Sequence, residues 1–455
     1  MAGPRVIIVG AGPAGVRAAE RLAQAELRPL IVDEAPAAGG QIYRRQPTNF
    51  RREAKELYGF EAGKAQTLHG TFEALKPAIE HRSETLAWNV FDGKLHLASP
   101  TGHEAVPFDA LILATGATDR IMPVPGWTKP GVTSLGGAQI ALKAQACAIG
   151  AKPVFLGTGP LLYLVAYQYA KAGVRPAALL DTSPFFNRLT ALPKLAARPD
   201  MLAKGLYYSA WLSVRRIPVL TGITPVAIEG ERRVTGTRFR DRRGRERSFD
   251  CDAVGLGYGL RSETQLADLA RCRFTFDPLA RQWLPATDQD GRTSVPNVYI
   301  AGDGARIAGA DAAELAGRLA ACAALTDLGH RVPPAEFEAL RAPLTRMASF
   351  REGLEQAFPW PAHLATAYPD EALVCRCEAV TAGELRRSAQ ELGALEVNRA
   401  KAFSRVGMGR CQGRYCGLAG AEILAAALGV TLTEVGRLRG QAPVKPLALT
   451  AEAGP

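Results

Sequence analysis

The chain has 455 residues, 47% hydrophobic and 22% charged, with a net charge of +11. That length implies several domains, and that balance excludes a disordered or fibrous chain. No run approaches the roughly 20 apolar residues of a membrane helix. The arginine excess is scattered and not interleaved with aromatics, so neither a transmembrane segment nor a nucleic-acid partner is expected.

The N-terminal stretch "RVIIVGAGPAGVRAAERLAQAELRPLIVDEA" predicts strand, glycine turn, helix and strand. Its apolar start is too short for a signal peptide, so a cytoplasmic location is expected, where reduced thiols favour metal sites over disulfides. Gly10, Gly12 and Gly15 form G-x-G-x-x-G, with Pro13 and Ala14 inside the turn. In that pattern the first glycine makes the turn, the second lets a pyrophosphate approach and the third lets helix and strand pack closely. The second strand ends in Asp33-Glu34, where a carboxylate accepts from an adenosine ribose; Asp33 has the better spacing to Gly39-Gly40.

Farther along, "FDALILATGATDR" is a buried strand ending in Thr115-Gly116, and "VPNVYIAGDGARIAGADAAELAGRLAA" is a strand, then Gly302-Asp303, then an alanine-rich helix. Together with the first turn, these segments resemble the three fingerprints of flavoproteins with two dinucleotide-binding, glutathione-reductase-like domains. The resemblance implies FAD, with Asp303 near its ribityl or pyrophosphate region and the Gly40-Gln41 backbone passing the flavin. Taken alone, Asp303 reads as a helix N-cap.

Between these segments, "AKPVFLGTGPLLYLVAYQYAKAGVRPAALLDTSP" repeats the unit with Gly157, Gly159 and Asp181, but Leu162 replaces the third glycine. The occupant of this second site stays open between NAD, another adenine nucleotide and none. "TRFRDRRGRERSF" predicts a solvated hairpin. The expected organisation is a discontinuous flavin domain (1–150 and 286–335), a second nucleotide domain (151–285), an aperiodic Pro-rich linker or lid (336–369), a small α-rich domain (370–430) and a frayed tail (431–455). In the linker, Trp360 reads as a buried aromatic and His363 as a surface residue. No nucleophile elbow, P-loop, H-E-x-x-H or acid–base pair appears, so no catalytic residue is assigned. No cysteine precedes Cys147, so the thiol pair of a disulfide reductase is missing beside "GGQIYR".

Four cysteines close the chain: Cys375 and Cys377 in "LVCRCEAVT", then Cys411 and Cys416 in "GMGRCQGRYCGLAG". Four sulfurs suit either a tetrahedral zinc or, two per iron, a [2Fe-2S] cluster, and the spacing alone leaves both open. Cys147, Cys251, Cys272 and Cys322 have no partner spacing; Cys322 reads as a small buried hydrophobe.

The cysteine strings resemble the bacterioferritin-associated-ferredoxin-like [2Fe-2S] domain. From "VGAGPAG" through "DEAPAAGGQIYR", "GTGPLL" and "AGDG" to the cysteines, the chain is similar to the α (A) subunits of the opine oxidase, D-hydroxyproline dehydrogenase and hydrogen cyanide synthase group. That resemblance implies an electron-transfer oxidoreductase subunit carrying FAD and a [2Fe-2S] cluster. It further implies an amino-acid-oxidase-like β subunit with its own FAD that dehydrogenates an opine, D-hydroxyproline or similar secondary amine. FMN at the subunit interface, room for a small γ subunit and a downstream electron acceptor complete the expectation. The competing readings are a stand-alone NAD(P)H-dependent flavin and iron–sulfur oxidoreductase and a non-catalytic ferredoxin-like module.

Overall fold

The computed structural model describes residues 3–47, 49–50 and 52–448. Two parallel sheets organise the chain. In the first, the strands lie in the order Val298–Ile300, Ala110–Leu113, Val6–Val9, Leu30–Val32 and Glu80–Arg82. The three central strands are continuous apolar runs because both faces are covered, one by helices and the other by the antiparallel strands Leu86–Phe91, Lys94–Ser99 and Gly102–Pro107. The helix after the first turn, Pro13–Ala23, lies against the helix Ala310–Asp327; a Cβ on Gly317 would stand 2.0 Å from the Ala14 carbonyl oxygen, so bare backbone makes that approach possible.

The second sheet has the order Val219–Thr221, Ala178–Asp181, Pro153–Thr158, Ala253–Tyr258 and Val132–Ser134, again all parallel. Its last strand corrects the expected boundary at 151: residues 132–134 belong to the second unit, and Leu135, at the start of the next helix, packs where a Cβ on Gly257 would otherwise stand. The return at 285 is also too late. Leu266, Ala267 and Cys272 already lie in the core of the first sheet with Ile7 and Val9. Two crossing segments join the units, the antiparallel pair Ala117–Asp119 and Leu260–Ser262. The arginine-rich hairpin forms as expected, from Gly236–Arg240 and Glu246–Asp250.

The linker is not aperiodic. Pro334–Ala357 is a 24-residue helix; Pro334 sits in its first turn, where no intrahelical N–H is needed. Trp360 is buried beneath the Arg120 guanidinium, and His363 is exposed. The tail is not frayed where it is described. After Leu432–Val435, Arg437 makes a bidentate pair with Asp268 at 2.7 Å, and Val444 is 3% exposed in the core of the first sheet. Residues 449–455 of that expected tail lie outside the described residues. Among the described residues no helix is long and apolar enough to cross a membrane.

Candidate functional site

Three backbone loops meet at the carboxyl ends of the first sheet. Gly10 has φ +108°, and a Cβ there would stand 2.4 Å from the Ala114 carbonyl oxygen. A Cβ on Gly15 would stand 1.8 Å from the Gly10 carbonyl oxygen. Gly12 ends the turn and starts the helix with no side-chain cap, so the first N–H groups of that helix are left for a ligand. Gly40 abuts it: a Cβ on Gly40 would meet the Gly12 Cα at 3.0 Å. A Cβ on Gly302 would come within 2.9 Å of the Ala14 side chain, and one on Gly304 within 2.8 Å of the Thr115 hydroxyl. The three fingerprints, with Pro13, Thr115, Gly116 and Asp303, therefore form one cradle whose walls are backbone.

Two acids edge this cradle. Asp33 accepts from the Ala11 N–H at 2.5 Å and the Ala35 N–H at 2.6 Å; burial pushes its carboxyl up, and those two N–H groups oppose the shift. Asp303 accepts from the N–H groups of Ala308 and Gly309 at 2.8 and 3.0 Å, and burial likewise pushes it up. Among the described residues no cation stands within ion-pair distance of either acid. Glu34 is exposed and pairs with Lys445. Gln41 and Ile42 are exposed on the loop after Gly40, with Gln41 accepting from Arg44 at 2.9 Å. The uncapped helix, the Gly12–Gly40 backbone contact and the two edge acids fit a dinucleotide with a pyrophosphate over the turn.

Lys143 was not singled out by any motif. It is 5% exposed and donates to the Ile42 carbonyl at 3.2 Å, and burial lowers its pKa to about 8. No spacing rule marks it, because its helix belongs to the second unit.

The second glycine turn is built differently. Gly157 and Gly159 have φ +147° and +104°, and Leu162 is fully buried in the core between helix and sheet. The expected ribose acid, Asp181, is 0% exposed and already engaged. It accepts from the Tyr163 hydroxyl at 2.9 Å, the Ser183 N–H and hydroxyl at 2.8 Å and Arg188 at 2.5 Å. The carboxylate expected to meet a nucleotide ribose is thus bonded within the protein.

The four cysteines come together from two segments. Leu373–Cys375 pairs with Val380–Thr381, which places Cys375 in a strand and Cys377 in the connecting turn. A Thr381–Glu384 capping box starts the following helix. On the other side, Arg405, Gly407, Gln412 and Gly413 all have positive φ and curl a loop that ends with Cys416 as N-cap of Gly417–Leu428. Gly409 packs on Cys377, where a Cβ would stand 2.3 Å from that of the cysteine.

Cys375 and Cys416 are each 1% exposed, and Cys377 and Cys411 are half-buried. Cys416 neighbours both Cys375 and Cys411, and Cys377 neighbours Cys411, all four as free thiols. Hydrogen bonding from Cys416 lowers Cys375 to about 6 and Cys411 to about 5, aided by backbone N–H groups. Among the described residues no group of three or more His, Cys, Asp or Glu side chains is spaced to hold a metal ion. Four sulfurs with backbone N–H donors around them, at an uncapped helix start, fit thiolate ligation of a two-iron cluster.

Comparison with known proteins agrees with both halves. The pyridine nucleotide-disulphide oxidoreductase family model matches residues 4–317, and the BFD-like [2Fe-2S] binding domain model matches residues 373–426. The opine oxidase A subunit of Agrobacterium tumefaciens is 38% identical, over 98% of this chain and 90% of its own length. The hydrogen cyanide synthase HcnB subunit of Pseudomonas aeruginosa is 31% identical, over 98% of both. The crystal structure of L-proline dehydrogenase from P. horikoshii shares the fold, with a TM-score of 0.72 and 20% identity over 98% of this chain and 79% of that one.

Proposed function

We propose a function from the premise that this chain belongs to the family of opine oxidase A subunits and hydrogen cyanide synthase HcnB subunits, an FAD-binding oxidoreductase unit joined to a [2Fe-2S] domain. It is the electron-transfer subunit of a heteromeric dehydrogenase for opines, D-hydroxyproline or a similar secondary amine. The organic substrate is oxidised on an FAD-containing β subunit. This chain receives the electrons and delivers them to an acceptor.

In this reading the Gly10–Gly15 turn with Pro13 and Ala14 holds the pyrophosphate, and Asp33 orients the ribose. Gly40, Gln41, Thr115 and Gly116 line the flavin, and Asp303 orients its ribityl end. Cys375, Cys377, Cys411 and Cys416 ligate the cluster. Bound FAD accepts electrons in pairs, and a [2Fe-2S] cluster takes them singly. The protein's part is to hold both in one chain and keep water from the cluster, which the near-complete burial of Cys375 and Cys416 supports. FMN at the β-subunit interface belongs to the proposal, as does a cytoplasmic location, which keeps the thiols reduced. The second glycine turn is assigned no ribose-binding role, because Asp181 is already bonded on all sides.

One observation carries the reading: the chain combines a complete flavin cradle with four converging thiols, yet its first cysteine is Cys147, so no thiol pair follows the Gly39-Gly40 turn. The test is co-expression with the neighbouring oxidase-like chain and an amine panel under anaerobic conditions. The complex should dehydrogenate an opine or a cyclic secondary amine, and the isolated chain should not. Substrate dehydrogenation by this chain alone would overturn the division of labour.

A further inference from the structure

One short segment touches both candidate centres. Residues 260–265 leave the second unit through the crossing strand Leu260–Ser262 and enter the first. On one side, the Glu263 N–H donates to the Gly116 carbonyl at 3.0 Å, and the Thr115 hydroxyl donates to the Glu263 carbonyl at 2.6 Å. Both partners are fingerprint residues of the flavin cradle. On the other side, three side chains of the same segment bind the cysteine loop. Arg261 donates to the Arg414 carbonyl at 3.0 Å, and Gln265 donates to the Gln412 carbonyl at 2.6 Å. Glu263 takes the Arg414 guanidinium in a fork, at 2.7 and 3.2 Å.

Arg414 lies between Cys411 and Cys416 in sequence, and its remaining donors close on the Cys411 carbonyl at 3.3 Å and the Val444 carbonyl at 2.6 Å. The pair is largely buried, with the two side chains 9% and 13% exposed. A planar guanidinium held by both carboxylate oxygens and two carbonyls has one orientation. Charges in such a place act strongly on a neighbouring centre, because little water screens them. The potential of an iron–sulfur centre responds to net charge, hydrogen bonding and solvent access.

We propose that Glu263 and Arg414 are positioning residues for electron transfer: the pair fixes the Cys411–Cys416 loop against the Thr115–Gly116 edge of the flavin cradle and sets the charge beside the cluster. The inference rests on the reading above that flavin and cluster share this chain. The pair itself is neither oxidised nor reduced. A bound reduced flavin would be the one-electron donor and the oxidised cluster the acceptor, and no bond is made or broken at Glu263 or Arg414.

The test uses the full chain, purified anaerobically, as wild type, Glu263→Gln, Arg414→Met and Arg414→Lys. Flavin, iron and acid-labile sulfide are measured first, then the cluster potential by titration of its paramagnetic signal. Arg414→Met leaves a carboxylate beside the cluster and should disfavour its reduction. Glu263→Gln leaves a cation there and should favour it. The expected change is on the order of tenfold in the flavin-to-cluster equilibrium in each case, about 59 mV for one electron, with opposite signs. Arg414→Lys should return toward wild type, since it restores the charge without the fork.

Loaded variants with an unmoved potential, or with shifts of the same sign, would overturn the proposal. If Arg414→Met does not fold, Glu263→Gln decides alone: a raised potential supports the pair and an unchanged one refutes it. Wild-type protein lacking flavin or iron would refute the functional reading instead, so the two failures are distinguishable.

Discussion

The chain contains two glycine turns built on one plan, and they have diverged in physical detail. At the first, Gly15 brings helix and strand into backbone contact, and Asp33 bonds only to backbone N–H groups at the edge of an open cradle. At the second, Leu162 occupies the third-glycine position, and Asp181 is neutralised by Arg188 inside a closed network. The lesson is that the strand–turn–helix–strand unit keeps its fold when the third glycine becomes leucine and the acid is paired within the protein. A carboxylate at the end of the second strand identifies a nucleotide site only if nothing within the protein has claimed it.

The largest expected effect comes from giving the first turn the residue of the second. Gly15→Leu puts a Cβ into the Gly10 carbonyl, so folded protein should be nearly absent, and any recovered fraction should lack flavin. Soluble yield and bound-flavin absorbance measure this. Soluble, yellow Gly15→Leu protein would mean that the close approach is not required.

Next in size is the closed network. Arg188→Met strands the fully buried Asp181 carboxylate, and breaking a buried pair in this way costs about 3–5 kcal/mol. The melting temperature should fall by several degrees, and Asp181→Asn in the same chain should recover part of the loss, a coupling that a double-mutant cycle reads directly. A fall in flavin content that exceeds the loss of stability would instead assign Arg188 to ligand binding.

The smallest effect concerns Lys143, which links the two units beside Ile42. Its folded pKa, about 8, lies below the unfolded value, so between about pH 8 and 10 the unfolded chain binds more protons. Stability from this group therefore rises with pH through that window. Lys143→Met should stabilise the protein at pH 7, and the gain should shrink as the pH is raised toward 10. A gain independent of pH would mean that Lys143 is not buried as a cation.

Much of this comparison was legible in the sequence, because glycine spacing and cysteine spacing are local. Gly10–Gly15, Thr115–Gly116 and Gly302–Asp303 each announce a turn that a few neighbours determine. What escaped depended on distant partners. Arg188 closes Asp181 only because its helix turns back over the second sheet. Glu263 meets Arg414 across 151 positions. The helix Pro334–Ala357 was hidden by prolines at its start and at Pro343, which read as breakers, yet it packs along its length on neighbouring helices. Val132–Ser134 is too short to show alternation, and Val444 follows a polar stretch with no period of its own.

The functional reading stands or falls on cofactor content and one spectroscopic change. Anaerobically purified chain should carry FAD together with iron and sulfide in the ratio of a [2Fe-2S] cluster, and reduction should produce a paramagnetic signal that Cys416→Ser abolishes while flavin is retained. Stoichiometric zinc in place of iron, with no yellow chromophore, would contradict it.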